Sequence, residues 1–326
     1  MQILAPFSKK SEVEPLAEAG ATEFFCGLVD QEWQKTYTYI SSINLRHDSG
    51  ANLSSFAELQ ESLQTAHSLG TKLFLALNKT FYSEKQLPIA MHCAEQAVKL
   101  GIDALIVADP GLIPKLKQEF SVKIVLSTSS PAFNTAAIDF FRGLGIDRIV
   151  LPRQLAINEI RLLSSYAKKR SLEVECFVLN EICPNIGGLC TFQHIVDQNL
   201  FMPAQALACR MPFSVEAKSD SSREKRLVAS SHVKLWNNAP IADCGLCAIR
   251  EIMRCGIDSL KIAGRGLSLE TKAAGVRAVK EAIGLAAKGC SGNRFRQECG
   301  RLYSGMFHSK CDYKNCYYAE AGLLEN

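Results

Sequence analysis

Short apolar runs alternate with longer amphipathic segments over most of the chain. The runs are rich in Val, Ile, Leu and Phe, which is typical of parallel strands that are buried on both faces. Eight strands are predicted in this way, at Ile3–Ala5, Glu23–Cys26, Lys72–Leu77, Ala104–Ala108, Lys123–Leu126, Arg148–Leu151, Glu173–Val178 and Ser259–Ile262.

The segments between these runs carry apolar residues at three- and four-residue spacing, which predicts amphipathic helices. They span Glu12–Ala19, Phe56–Leu69, Gln86–Leu100, Ile113–Phe120, Thr135–Leu144, Asn158–Arg170, Leu246–Cys255 and Leu269–Lys288. Several end at a glycine, the residue that most readily adopts the left-handed conformation after a helix. These predicted caps are Gly20, Gly70, Gly101, Gly145 and Gly256.

Eight successive strand–helix units predict an α/β fold, a (β/α)8 TIM-like barrel. The alternative is a doubly wound open sheet, but no glycine fingerprint follows the first strand. We therefore expect one barrel over residues 1–289, interrupted after the seventh strand by a cysteine-bearing insertion at about 183–243. A C-terminal extension over residues 290–326 shows few helix signals. An insertion after a barrel strand falls on the catalytic face.

Composition narrows the class of protein only a little. Hydrophobic residues make up 47% of the chain and charged residues 21%, which is ordinary for a globular protein. The formal net charge of +4 permits contact with nucleic acid without arguing for it. The chain has no apolar run of about 18 residues, and its N-terminal apolar stretch is too short for a signal peptide. We expect a cytoplasmic protein with no membrane partner.

Polar side chains follow most of the predicted strands. Because the carboxyl ends of barrel strands form the active-site face, these side chains should surround the opening of the barrel at that face, which we call the mouth. Two arginines in the set predict an anionic ligand, since guanidinium groups bind carboxylate or phosphate in a forked geometry. The alternative is that Asp109 pairs with one of the arginines and nothing binds. The predicted catalytic residues are Asn78, Asp109, Arg153 and Arg265, and the predicted substrate-binding residues are Asn44, Arg46, Ser127, Thr128 and Asn180.

Cysteine is unusually frequent, with 13 residues. In a reducing compartment such residues bind metals more often than they form disulfides. Cys183 and Cys190 bracket the sequence PNIGGL, Cys209 precedes an arginine, and Cys247 opens a predicted helix. Four thiolates suit either zinc or an iron–sulfur cluster, and their spacing leaves both open.

The remaining cysteines near the C-terminus allow a second interpretation. Cys244 together with Cys311 and Cys316 of the CDYKNC motif could form another thiolate site. We favour the simpler interpretation that these are buried or unligated thiols. The sequence leaves the roles of Cys290 and Cys299 open.

Taken in order, several stretches of the chain resemble the collagenase-like peptidase family U32. Each stretch is short, but their common order over nearly the whole barrel makes the resemblance specific. They lie at Leu4–Pro6, Ala19–Gly27, Ile43–Arg46, Ala66–Asn78, Gly101–Gly111, Ser127–Asn134, Leu144–Leu155 and Gly256–Arg265. Family members are similar to one another in carrying a 4Fe–4S cluster on four cysteines, and the resemblance places those roles on Cys183, Cys190, Cys209 and Cys247.

The resemblance implies oxygen-independent hydroxylation. The acceptors it implies are bases in transfer or ribosomal RNA, or aromatic precursors of ubiquinone, and the implied oxygen donor is prephenate. Arg153 and Arg265 would then hold the carboxylates of that donor. Two departures from the family pattern lie at the predicted site, where Leu179 and Asn180 replace His and Gly and Gln154 replaces an acid. The acceptor substrate therefore stays open.

Two other functions compete with hydroxylation. The family name implies a peptidase, although the sequence shows no recognisable nucleophile–base pair. The other is a non-catalytic subunit that binds a second barrel protein, which the two departures at the site favour. Activity of the purified chain alone would separate these functions.

Overall fold

The computed structural model describes residues 1–37, 42–46, 49–180, 186–189, 243–308, 311, 316–318 and 320–321. Its eight strands form a closed barrel in which each strand is parallel to both neighbours, and β1 closes the ring by pairing with β8. This confirms the predicted (β/α)8 architecture. The strands are β1 Gln2–Pro6, β2 Glu23–Cys26, β3 Lys72–Leu77, β4 Ala104–Val107, β5 Lys123–Leu126, β6 Arg148–Val150, β7 Glu173–Leu179 and β8 Ser259–Ile262.

Helices surround the strands and bury one face against them. They are α1 Val13–Ala19, α2 Gln31–Tyr37, α3 Phe56–Ser68, α4 Leu87–Lys99, α5 Leu112–Glu119, α6 Thr135–Leu144, α7 Ile157–Lys168, α8 Ile249–Arg254, α9 Leu269–Ala287 and α10 Gly292–Phe307. A 3-10 turn over Leu246–Ala248 leads directly into α8. No described helix combines the length and the apolar composition that crossing a bilayer requires.

The C-terminal extension departs from the sequence prediction. The expectation of few helical residues there was wrong, because the extension contains the 16-residue helix α10. Phe295, Cys299 and Tyr303 recur every four residues along α10 and are its buried side chains. α10 packs against α9 and against the turn Leu246–Ala248. The extension is therefore fastened beside β7 and β8.

Glycines end the helices where the sequence predicted caps. The residues Gly20, Gly70, Gly101, Gly145 and Gly256 all have positive φ, between 69° and 118°. In this left-handed region glycine avoids the steric cost of a Cβ atom. Each cap turns the chain from a helix toward the next strand.

Charged side chains fill part of the barrel interior. Arg148 at the start of β6 makes a two-pronged ion pair with Glu23, at 2.7 and 2.8 Å, and lies 3.3 Å from Glu175. Lys261 donates to the other oxygen of Glu175 at 2.9 Å. Burial disfavours the charged form of Arg148, but Glu23 and Glu175 outweigh burial and raise its pKa. The buried charges are thus paired with one another, and these side chains form a polar layer inside the barrel beneath the mouth.

Candidate functional site

Arg265 lies at the centre of a cradle of amides at the mouth of the barrel. It follows β8, is buried, and reaches across the ring to the loop after β2. Its Nη2 donates to Oδ1 of Asn44 at 3.1 Å, and its Nη1 lies 3.4 Å from Oδ1 of Asn52. A Cβ atom on Gly27 would overlap Nη1 of Arg265 and Oδ1 of Asn52. Only glycine at the end of β2 therefore leaves room for the guanidinium group.

The loop after β2 is tied to two further strands through side-chain amides. Asn44 donates to Oδ1 of Asn52 at 3.0 Å, and Asn52 donates to the carbonyl of Arg46 at 2.9 Å. The N–H of Leu45 lies 3.4 Å from Oδ1 of Asn78, which follows β3. The Nδ2 of Asn78 in turn lies 3.4 Å from Oγ of Ser127, which follows β5. The predicted residues Asn44, Asn78, Ser127 and Arg265 are thus joined in one chain of polar contacts.

Arg153 lies over the aromatic ring of Phe177, on the β6–β7 side of the barrel. Its Cζ is 4.1 Å from the ring centroid, a distance typical of a cation–π contact. Its Nε is buried and has no hydrogen-bond partner among the described residues. A buried donor without a partner costs free energy unless a ligand or water accepts it. A ligand or water that reached the Nε of Arg153 and accepted its hydrogen bond would remove that cost.

Asn180 adopts a left-handed backbone conformation immediately after β7, with φ of 64°. Its Nδ2 donates to the carbonyl of Ala263 at 3.3 Å, whereas its buried Oδ1 accepts no hydrogen bond from the described residues. The backbone carbonyl of Asn180 accepts a hydrogen bond from the hydroxyl of Tyr317. Strained backbone and an unsatisfied polar atom are both typical of functional sites.

Asp109 faces the backbone rather than a cation. Its carboxylate accepts from the N–H groups of Gly111 at 2.6 Å, Leu112 at 3.2 Å and Tyr82 at 2.6 Å. These bonds fix the start of α5 and the loop after β3. The alternative in which Asp109 neutralises one of the mouth arginines does not match these contacts.

Lys79 is a buried amine that the sequence analysis did not single out. It follows Asn78, and its Nζ lies 4.7 Å from the centroid of the Phe81 ring. Burial lowers the pKa of Lys79 to about 8, and the charge of Asp109 opposes that shift. Its position directly after a predicted strand-end residue was the available signal.

Part of the segment between two of the predicted metal ligands, Cys183 and Cys190, lies within the described residues. Residues 186–189 are described, and they pack against the loop after β5. A Cβ atom on Gly187 would overlap the carbonyl oxygen of Thr128, and one on Gly188 would overlap that of Ser129. Residues 186–189 therefore run beside Thr128 and Ser129.

Of the four predicted metal ligands, one lies within the described residues. Cys183, Cys190 and Cys209 lie outside the described residues. Cys247 lies in the 3-10 turn before α8 and is half-buried. A hydrogen bond with Cys299 lowers the pKa of the Cys247 thiol, against the effect of burial. Among the described residues, no three His, Cys, Asp or Glu side chains are arranged to hold a metal ion.

The amino-acid sequence matches the profile of a known protein family. The profile of peptidase family U32 matches residues 8–322. The chain belongs to this family. The match runs from just after β1 through β8 and includes the insertion and α10, so most of the C-terminal extension lies within the part of this U32 protein that the family profile covers.

Similar proteins of this family are named for RNA hydroxylation. Over 167 residues the chain is 31% identical to tRNA hydroxylation protein P of Escherichia coli (strain K12), covering 50% of this chain and 36% of the relative. It is 28% identical over 229 residues to the 23S rRNA 5-hydroxycytidine C2501 synthase of the same strain, covering 68% of this chain and 31% of the relative. These matches thus span only about a third of the length of either curated relative.

Two other comparisons show likeness to proteins named as peptidases. The chain is 24% identical over 316 residues to the uncharacterized protease MJ0090 of Methanocaldococcus jannaschii, covering 94% of this chain and 72% of that protein. The solved structure of the U32 peptidase Mk0906 superposes with a TM-score of 0.50 at 16% identity, covering 81% of this chain and 94% of that one. At this identity the superposition shows a shared fold.

Proposed function

We propose that this U32 protein takes part in oxygen-independent hydroxylation of RNA bases. The observation that carries the proposal is the buried Nε of Arg153, which lies at the mouth without a hydrogen-bond partner among the described residues. Family membership and the names of the relatives supply the reaction class. An aromatic quinone precursor is the alternative acceptor, but the relatives' names favour RNA.

The two arginines are proposed to hold the oxygen donor. A donor with two carboxylates, such as prephenate, offers one anionic group to each side of the mouth. Arg265 is held rigidly by Asn44 and Asn52, and Arg153 is held flat by Phe177. Pre-positioned charges bind an anion without first being ordered, which favours affinity and orientation. Asn78 and Ser127, which contact each other after β3 and β5, would supply neutral hydrogen-bonding groups.

An iron–sulfur centre near the mouth is part of the proposal, and Cys247 is the one predicted ligand within the described residues. Residues 186–189, which lie between Cys183 and Cys190 in the sequence, pack against Thr128 and Ser129. The turn after Asp243 carries Cys244 and Cys247, and Asp243 accepts a hydrogen bond from the N–H of Asn180 at 2.8 Å. A 4Fe–4S cluster held by Cys183, Cys190, Cys209 and Cys247 would supply one-electron chemistry or activate the oxygen donor. Zinc on the same thiolates is the alternative.

Peptidase activity receives less support from the site. Oγ of Ser127 contacts the amide of Asn78 and the N–H of Ser129, and neither group can accept its proton. The described histidines lie elsewhere: His67 and His92 pair with carboxylates on the outer helices, and His308 follows α10. A nucleophile without a base is not activated.

The test is production of hydroxylated nucleosides in a bacterial host that lacks its own RNA hydroxylation proteins. Expression of the native chain should yield nucleosides carrying one added oxygen in digests of tRNA or rRNA, detected by mass spectrometry. Arg153→Ala should abolish the product with the fold retained by circular dichroism. The exposed Arg254→Ala is the matched control and should leave the product unchanged. Undiminished product in a folded Arg153→Ala variant would contradict the proposal.

A second arm tests whether the chain acts alone. Product that forms only when another U32 protein is co-expressed would identify the chain as a partner subunit. Cleavage of a collagen-like peptide by the anaerobically purified chain, with no modified RNA, would restore the peptidase interpretation.

A further inference from the structure

Residues near the C-terminus lie beside the end of β7. The backbone of Cys316 forms a parallel bridge with Cys244, and the N–H of Tyr317 donates to the carbonyl of Cys244 at 3.0 Å. Tyr317 and Tyr318 are both buried. The ring of Tyr318 packs against Gly245, where an ideal Cβ atom would lie 3.1 Å from Cδ2 of the ring. We call residues 316–318 and 320 the C-terminal strap.

The strap supplies hydrogen bonds at a place where the sheet is irregular. The pairing of β7 with β8 shifts register between Phe177 and Leu179. Such an irregularity bends a strand and interrupts its ladder of backbone hydrogen bonds. Here the hydroxyl of Tyr318 donates to the carbonyl of Phe177 at 2.8 Å, and the hydroxyl of Tyr317 donates to the carbonyl of Asn180. Two tyrosine side chains thus hold the backbone where the chain leaves the regular sheet.

The strap also holds the start of α7. The residue before this helix is Ala156, whose side chain cannot accept a hydrogen bond from the first turn. The carboxylate of Glu320 accepts a hydrogen bond from the N–H of Ile157, the first residue of α7, at 2.8 Å. The helix dipole also favours a carboxylate at this end of a helix. Because Arg153 lies four residues before Ile157, the strap holds one end of the segment that carries this arginine.

The two segments that the strap holds carry buried polar atoms without hydrogen-bond partners among the described residues. These atoms are Nε of Arg153 and Oδ1 of Asn180. The ring of Phe177, whose carbonyl binds Tyr318, lies 4.1 Å from Cζ of Arg153. A buried polar atom without a partner costs free energy, so the chain around it relaxes unless other contacts hold it. The strap provides such contacts for both segments.

We propose that the C-terminal strap is a positioning element of the proposed anion site. Tyr318 and Glu320 hold Arg153 flat on Phe177, and Tyr317 holds Asn180, so that the unpartnered atoms stay directed at a ligand. The strap itself does not bind the ligand. The inference rests on the proposed function for the identity of that ligand, a donor that carries carboxylates. Holding the site in place before binding reduces the ordering that binding would otherwise cost.

Modification of individual arginines by phenylglyoxal tests the positioning without using the reaction. The native chain and Tyr318→Phe are treated with the reagent, and the rate at each arginine is followed by peptide mass spectrometry. In the variant the rate at Arg153 should rise by about two- to tenfold, the increase in local opening expected from one lost hydrogen bond. The rate at Arg265 should keep its native value, because Asn44 and Asn52 hold its guanidinium group instead. Equal rises at both arginines, which indicate general loosening, overturn the proposal, as does an unchanged rate at Arg153 in a folded variant.

Tyr166→Phe is the matched control for the lost hydroxyl. The hydroxyl of Tyr166 donates to Asp139 at 2.6 Å, between α7 and α6 on the outside of the barrel. Its removal should therefore leave the rate at Arg153 unchanged.

Variants of Glu320 give an answer even if Tyr318→Phe does not fold. Glu320→Ala removes the contact with the N–H of Ile157 and should raise the rate at Arg153. Glu320→Gln keeps an oxygen that can accept this hydrogen bond and should retain the native rate. A native rate in Glu320→Ala overturns the proposal, as does an equal rise in both variants.

Protection by prephenate separates this inference from the proposed function. Prephenate is added to the native chain and to Tyr318→Phe, and the concentration that halves the phenylglyoxal rate at Arg153 is measured. The variant should need about two- to tenfold more prephenate, and equal concentrations overturn the proposal. If prephenate does not protect Arg153 in the native chain, the proposed donor is wrong, and the rates without prephenate at Arg153 and Arg265 still decide the role of the strap.

Discussion

The guanidinium group of Arg265 occupies the space in which a side chain on Gly27 would begin. The ideal Cβ position on Gly27 overlaps Nη1 of Arg265, and the side-chain oxygens of Asn44 and Asn52 accept hydrogen bonds from the guanidinium group. The end of β2 and the segment after β8 can therefore pack closely because residue 27 has no Cβ atom. The position of Arg265 therefore depends on Gly27, which has no side chain that could bind a ligand.

Gly27→Ala should therefore disable the mouth while leaving the barrel folded. The added methyl group must displace Arg265, so we expect loss of hydroxylated product together with destabilisation of about 1–3 kcal/mol, the usual cost of overpacking. Nucleoside mass spectrometry and thermal unfolding measure the two effects. Gly143→Ala is the control, because a Cβ there meets nothing within 4 Å and the position lies inside α6. That variant should gain about 0.5–1 kcal/mol of stability and keep full product.

The left-handed backbone at Asn180 leads to a prediction about strain. Asn180→Ala places a Cβ-bearing residue without a stabilising side-chain amide at φ of 64°, whereas Asn180→Gly accepts that conformation freely. The glycine variant should be more stable than the alanine variant by roughly 1–2 kcal/mol, measured by chemical denaturation. Ser171, an exposed turn residue with φ of 61°, is the control position, and Ser171→Gly should stabilise the native chain. Equal stability of the two Asn180 variants would mean that the backbone relaxes.

Periodicity was sufficient to predict the barrel because its strands are buried on both faces. The predicted bounds are correct for β2, β3, β5 and β8. Each of these strands is an apolar run that ends where a polar or glycine-containing segment begins. The helix α2 was missed because Trp33 is its only buried side chain, which leaves no periodic pattern. α10 was missed because its three buried residues are separated by charged and polar ones.

The sequence predicted the mouth residues that directly follow a strand, because the barrel topology alone fixes their position. Asn78, Ser127 and Arg265 follow parallel strands, and parallel strands end at the same face of a barrel. Asn52 and Lys79 depend on how the loops after β2 and β3 fold back, which local patterns do not encode. Phe177 looks like a core residue in the sequence, and only the structure shows that Arg153 lies on its ring. The meeting of Cys247 with Cys299 likewise requires the packing of α10.

The ion pairs inside the barrel predict a large effect for Arg148→Met. The variant leaves Glu23 buried without its ion-pair partner and leaves Glu175 with Lys261 alone, and a broken buried pair costs about 3–5 kcal/mol. Urea denaturation should show this loss. Lys123→Met is the matched control, because Lys123 contacts Glu173 of the same network from a half-exposed position, and it should cost at most about 1 kcal/mol. Adding Glu23→Gln to Arg148→Met should recover part of the stability, and no recovery would argue against electrostatic coupling.

Lys79 makes the stability of the protein depend on pH in a defined direction. Burial lowers the pKa of Lys79 to about 8 in the folded chain, below its ordinary value of 10.5. Between these two values the unfolded chain binds the proton and the folded chain does not, so the free energy of unfolding rises with pH across this window. The slope from this one group is at most about 1.4 kcal/mol per pH unit. Lys79→Met should remove the slope, whereas Lys115→Met on the exposed face of α5 should keep it. Denaturant titrations of the three proteins from below pH 8 to above pH 10 measure the difference, and parallel curves for the native chain and Lys79→Met would show that the buried amine keeps an ordinary pKa.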